Sequence, residues 1–426
     1  MYKIVFLLFL VLFFGGCFGE PKPSAPKSNE KVFEEEDAYI LFALRAEQIK
    51  DYQSASELFD KLYRKSGKKE YLYRSLGNDL AARKNQEVIK KINDLTKDEQ
   101  NDLKLIRLKI VAFIGDGEFE NARVLGISLV EKSKEVNDYL LVSEVYVKQK
   151  KYNTALKYLE SAYVKDYNEK ILDKISIILY VNLHRKKDAI ALLETHIRMN
   201  GCSKQICGRL IGFYSNENNI DGILSTYLRM YKLNKNAEIS QKIIEIYMYK
   251  KDYVKLMMFL QDSGSDDDLL LQMYIDSKNY KKAFEMAEKL YVASGDIKYL
   301  GQSAMFEYES SKDKNDVQMH KRVVDKLKKV VHNEKISLYL NYLGYLLIDH
   351  SIDVKAGMVY VKEALEMDEN SAFYLDSLAW GYYRLGECEK ALQIITKVRK
   401  LDGGDDPEVI KHFEAIQKCK MKKNRG

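Results

Sequence analysis

Residues that break helices are scarce: only four of the 426 are proline. Proline removes a backbone donor and clashes with the preceding turn, so a chain this poor in it can carry helix after helix without interruption. A concentrated excess of one charge is also lacking. The formal net charge is +6, spread too evenly to form the basic stripe that a nucleic-acid partner would need. No HExxH, GxSxG or GxxxxGK[ST] occurs, and the cysteines form no CxxC pair. The six histidines (His184, His196, His320, His332, His350 and His412) stand apart, with no two at the i, i+4 spacing that places metal ligands on one helix face. Gly115-Asp116-Gly117 reads as a turn between helices rather than a phosphate loop. Ser263 to Asp268 (SGSDDD) lacks the ligand spacing of a calcium loop and reads as a connection that caps the next helix. These absences lead to an expectation of no cofactor, no metal and no catalytic centre.

What is present points to helices. The composition is 46% hydrophobic and 31% charged, with 31 Tyr, 16 Phe and a single tryptophan, Trp380. The length exceeds what one compact core organises. Most of the rings are expected to fill gaps between helices. From Leu338 to Leu401 two similar stretches follow one another: NYLGYLLID aligns with DSLAWGYYR, and AGMVYVKEALEMD with EKALQIITKVRKLD. Small residues fall where paired helices must approach closely, at Gly344 and Ala379, then at Gly357 and Ala391, with apolar residues three and four apart around them.

Earlier in the chain an aromatic residue stands three before a small one: Tyr52/Ala55, Phe119/Ala122, Tyr152/Ala155 and Tyr280/Ala283. Val88, Ala189 and Gly222 keep the same step, about 33 or 34 residues long. The register loosens after Gly222, where Leu256 takes the place of the small residue.

A period of about 34 residues with this pattern resembles the tetratricopeptide repeat, and more particularly the repeats of bacterial periplasmic lipoproteins built from many such units. The resemblance implies an all-α fold, a right-handed α-solenoid of about eleven tandem helix hairpins with a last helix near Pro407–Met421 covering its exposed end. The expected divisions are a lipoprotein signal peptide at 1–16, a lipid-bearing Cys17 with a flexible tether at 17–32, and a repeat array at 33–310. A charged connecting hairpin at 311–335, its Lys and Arg on a solvated face, then leads to a terminal repeat pair with capping helix and basic tail at 336–426.

The address comes from the first residues. Lys3 precedes an apolar run from Ile4 to Phe14, too short for a permanent span, and Phe14-Gly15-Gly16-Cys17 resembles the lipoprotein box. Phe14 departs from the usual leucine there. In that family Cys17 would carry palmitate-type acyl chains, and Phe18 in place of Asp favours outer-membrane delivery with the protein facing the periplasm. Segment 19–31, rich in Pro, Ser and Lys, reads as the tether. Cys202, Cys207, Cys388 and Cys419 then remain. An even count in an oxidising compartment permits two disulfides, Cys202 with Cys207 and Cys388 with Cys419; free thiols are the rival reading.

The resemblance also implies a groove lined by the first helix of each hairpin. The phase set by the small residues places Asn341, Tyr345, Asp376, Trp380, Tyr383 and Arg384 on that face. Trp, Tyr and Arg are the side chains that most often anchor interfaces, although Trp380 could equally pack against a neighbouring repeat. The expected role is a non-enzymatic adaptor for periplasmic proteins or peptides. Lipoproteins of this kind include adaptors that bring cell-wall hydrolases to carboxy-terminal processing proteases. The alternative is a structural part of an envelope machine for outer-membrane protein, pilus or flagellar-motor assembly.

Overall fold

The computed structural model describes residues 32–423. The expected signal peptide, Cys17 and the tether up to residue 31 lie outside the described residues, as does the end of the basic tail. Among the described residues there are twenty-four α-helices and no strand. Setting aside the single turn Lys97–Gln100 and the last helix, Pro407–Lys423, the other twenty-two pair as eleven hairpins. They run from Glu36–Gln48 with Tyr52–Ser66 to Ala372–Arg384 with Cys388–Val398.

Most hairpins turn on one residue in the left-handed conformation. These residues are Lys50, Arg83, Gly117, Lys150, His184, Asn218, Lys251, Lys278, Ser351 and Gly386, with φ between 51° and 82°. The next N–H reaches back over six residues to close the end of the first helix, as in Asp51 to Ala46 (2.9 Å), Lys151 to Tyr146 (2.8 Å) and Glu387 to Tyr382 (2.9 Å). That bond satisfies a carbonyl the helix end would otherwise leave unpaired. A side chain in this conformation costs about 1–2 kcal/mol relative to glycine, so Lys150→Gly is expected to raise stability by about 1 kcal/mol in thermal unfolding. One hairpin differs: Ile178–Asn182 forms a π turn and Arg185 reaches back to Leu179 (2.8 Å), which fits an extra residue into the helix.

The register residues occupy the places their spacing predicts. Ala55, Val88, Ala122, Ala155, Ala189, Ala283 and Ala391 lie in the first turn or so of second helices and are fully buried, as is Leu256. Their size sets how near the two helices come, and native cores leave little slack. Ala155 packs with Val130, Val142 and Tyr146. Ala155→Leu should overpack this hairpin by roughly 1–3 kcal/mol; a melting temperature equal to wild type would contradict the register.

The contacts divide the chain into two compact units, between Leu233 and Asn234. In the first unit, Glu36 is buried near the N-terminal end and accepts hydrogen bonds from Lys68 Nζ (2.7 Å), the Tyr71 hydroxyl (2.6 Å) and the Val32 N–H (2.7 Å). These bonds, that from Lys68 the largest, lower its pKa from 4.5 to about 2. The carboxylate therefore contributes stability above pH 4.5, and that contribution is lost as the pH falls towards 2. Glu36→Gln should flatten this acid limb in pH-dependent unfolding.

In the second unit, residues 311–335 do not form a hairpin of their own. Residues 311–316 are a connection, and one helix, Val317–Asn333, is the second helix of a hairpin with Ile297–Ser310. It is amphipathic: Val323, Leu327 and Val330 are buried. Its charges are not all solvated either, because Arg322 pairs with Glu307 (2.6 Å) and Lys326 with both Glu288 (2.7 Å) and Glu307 (2.9 Å). The SGSDDD segment behaves as expected, with the Asp266 side chain accepting from the Leu269 N–H to open the next helix.

Candidate protein-binding face

Two first-position helices of the second unit, Ser337–Asp349 and Ala372–Arg384, build the site together with the last helix, Pro407–Lys423. The first two are fixed against their second helices by small residues. A Cβ on Gly344 would stand 2.7 Å from the Gly357 carbonyl oxygen, and one on Gly357 would stand 2.6 Å from that of Gly344. The two backbones touch, and only glycine permits it. This contact sets the rotation of Ser337–Asp349 and so decides which side chains share its outer face.

Asn341 and Asp376 hold equivalent positions in consecutive helices, as do Tyr345 and Trp380. The indole of Trp380 donates to Asp349 Oδ1 (2.9 Å). Its ring stacks on Tyr383 (centroids 4.6 Å, 19°) and on His412 of the last helix (4.1 Å, 15°). His412 Nδ1 donates to Asp376 Oδ2 (2.8 Å), and both residues are buried. The Tyr345 hydroxyl donates to Glu408, also on the last helix, and Arg384 reaches Ser351 and lies 3.9 Å from Asp349.

The six predicted residues therefore lie in one neighbourhood, but not as six free groove positions. The last helix covers part of the face: Asp376 is tied to His412, and Asn341 Oδ1 is a buried acceptor without a donor, as is Asp376 Oδ1. Tyr383 and Arg384 remain towards solvent. Tyr383 opens onto a cleft of about 790 Å³ shared with Lys411, Glu414 and Lys418.

Neighbouring residues that the sequence did not single out extend the face. The Tyr342 hydroxyl donates to Glu309 (2.8 Å), and Tyr308 is hydrogen-bonded to His350 Nε2 (2.9 Å), whose ring lies 3.9 Å from that of His320. Burial first, then the carboxylates of Asp349, Glu309 and Glu408, raises the Tyr308 hydroxyl to about 12. Burial, followed by the charge of His320, lowers His350, which favours its neutral ring. Three carboxylates bearing on one hydroxyl make this a polar, acid-rich face with aromatic walls.

Four cysteines stand in two pairs. Cys202 and Cys207 are bonded with Cα atoms 5.6 Å apart, and Cys388 and Cys419 with Cα atoms 5.9 Å apart, inside the usual disulfide range. The second bond ties the last hairpin to the last helix. Among the described residues no group of three or more His, Cys, Asp or Glu could hold a metal ion, and no helix is long and apolar enough to cross a membrane.

Set beside known proteins, the sequence matches no family model and no curated protein. Solved structures of similar arrangement exist. One is the crystal structure of the APC/C hetero-tetramer Cut9–Hcn1, at 9% identity and a TM-score of 0.39, over 90% of this chain and 97% of that one. Another is the C-terminal part of a TPR repeat-containing protein from Cytophaga hutchinsonii, at 13% identity and a TM-score of 0.32, over 72% of this chain and 99% of that one. A third is a tetratricopeptide repeat protein from Parabacteroides merdae, at 13% identity and a TM-score of 0.28, over 66% and 98%.

Proposed function

We propose that the protein is a non-enzymatic interaction scaffold that holds other proteins on the face formed by its first-position helices. One observation carries this reading: Tyr345, Trp380, Tyr383 and Arg384, with Tyr308 and Tyr342 beside them, gather on that face and are oriented by hydrogen bonds and ring stacking. Oriented aromatic and guanidinium side chains lose little entropy when a partner covers them, which is why such residues carry most of the energy in interfaces.

A lipid on Cys17 would moor the scaffold to the periplasmic face of the outer membrane, and the partners would be a carboxy-terminal processing protease and the cell-wall hydrolases it degrades. Affinity capture from detergent-solubilised envelopes, with wild-type protein and with a Tyr345→Ala/Arg384→Ala variant, tests it. Recovery of a protease and a hydrolase by the wild type, reduced at least tenfold by the variant, is the expected result. Recovery of neither would overturn the adaptor reading.

A further inference from the structure

The last helix is an occupant of the face as much as an end cap. Pro407–Lys423 presents Val409, His412, Phe413 and Ile416 along one side, at i, i+3, i+4 and i+7. Val409 and Ile416 are buried against Leu375, Ala379, Ala391 and Ile395, while His412 lies on Trp380 and donates to Asp376. Its fit is incomplete, because Asp376 Oδ1, beside the oxygen that accepts from His412, stays buried without a donor, and such an acceptor favours any arrangement that supplies one. Gly403 at φ +83° and the buried Gly404 form the connection from the preceding helix, where a Cβ on Gly404 would stand 2.3 Å from the Val398 carbonyl oxygen. The Cys388–Cys419 bond closes the other end.

We propose that this face is a helix-exchange site. Its resident ligand is the chain's own last helix, its partner is an amphipathic helix carrying the same apolar stripe with an imidazole or guanidinium donor, and the Cys388–Cys419 disulfide is the latch. The inference rests on reading the face as protein-binding. Opening the latch needs a dithiol reductant. One thiolate attacks a sulfur of the pair, the Sγ–Sγ bond breaks, and the second thiolate resolves the mixed disulfide. Two electrons and two protons end on Cys388 and Cys419, and the dithiol leaves as its cyclic disulfide. The freed helix then samples open states more often, since a constraint on the chain has gone.

Trp380, the only tryptophan, reports the exchange directly. The experiment uses the full chain, oxidised and then treated with dithiothreitol, and a fluorescein-labelled peptide spanning 407–423 with Cys419→Ser. The expected result is a red shift of Trp380 emission on reduction, and peptide binding at least tenfold tighter to the reduced than to the oxidised protein. A second peptide that also carries His412→Ala should bind at least fivefold more weakly. The Cys388→Ser/Cys419→Ser protein, checked for unchanged helicity, should behave as the reduced form without reductant. Emission unaffected by reduction, or peptide binding equal in the two redox states, would overturn the proposal. Neither readout depends on a cellular partner, so failure here and failure of envelope capture are distinguishable.

Discussion

Gly344→Ala is expected to destabilise the second unit by about 2 kcal/mol, in a helix interior where the same change usually stabilises. Alanine is worth up to about 1 kcal/mol over glycine inside a helix. At position 344, however, the added carbon would meet the Gly357 carbonyl oxygen at 2.7 Å and Val361 Cγ2 at 2.6 Å. A flexible side chain could give way there, but backbone cannot, so the two helices must separate and lose contact along their length. Gly212 is the control. It lies in the Lys204–Asn216 helix, and a Cβ added there would have nothing within 4 Å. Gly212→Ala should raise stability by up to about 1 kcal/mol. Thermal or urea unfolding of the two variants should show opposite signs. The same sign in both would mean that the Gly344–Gly357 approach does not hold the hairpin together.

The second large effect is expected at Asp376. Asp376→Leu leaves the buried His412 imidazole without its acceptor and removes the group that orients it over Trp380. A buried polar group left unpaired costs about 1–3 kcal/mol, and the last helix loses its polar tie to the face at the same time. Destabilisation of about 3 kcal/mol is expected, with Trp380 emission shifted to the red. Adding His412→Leu should recover part of the loss, because the orphaned donor is gone; a double-mutant cycle should give a coupling of roughly 1–3 kcal/mol. A coupling near zero would mean that the pair does not act as a unit.

The repeat frame was legible in the sequence because its determinant is size. A small residue every 33 or 34 positions is visible in the string of letters, and Ala55, Ala122, Ala155 and Ala189 are all buried where helices meet. The turn register was nearly as regular but harder to see. Left-handed residues recur at Lys50, Arg83, Gly117, Lys150, His184, Asn218 and Lys251, yet only one of these is the glycine that usually marks such a position. Residues 311–335 misled for a related reason. Their charge suggested a solvated connection, whereas the apolar stripe of Val323, Leu327 and Val330 makes Val317–Asn333 a packed second helix.

At the site, the phase of the small residues placed Tyr345 and Trp380 on one face, because equivalent positions in consecutive repeats point the same way. It could not place His412. That histidine sits 32 residues beyond Trp380, in a helix with no repeat-like partner after it among the described residues. Nor did a lone histidine announce a ring stack and a buried hydrogen bond. Tyr308, Tyr342 and Glu408 went unmarked for the same reason: their role comes from convergence of several elements, which no single stretch of sequence displays.

Site-specific photo-crosslinking in cells tests the central claim most directly, with the probe at Arg384 on the aromatic face and, for comparison, at Val359, which is 55% exposed on a second helix. The account predicts discrete protein adducts from position 384, competed away by wild-type protein, and none above background from position 359. Equal labelling from both positions, or none from 384, would contradict it.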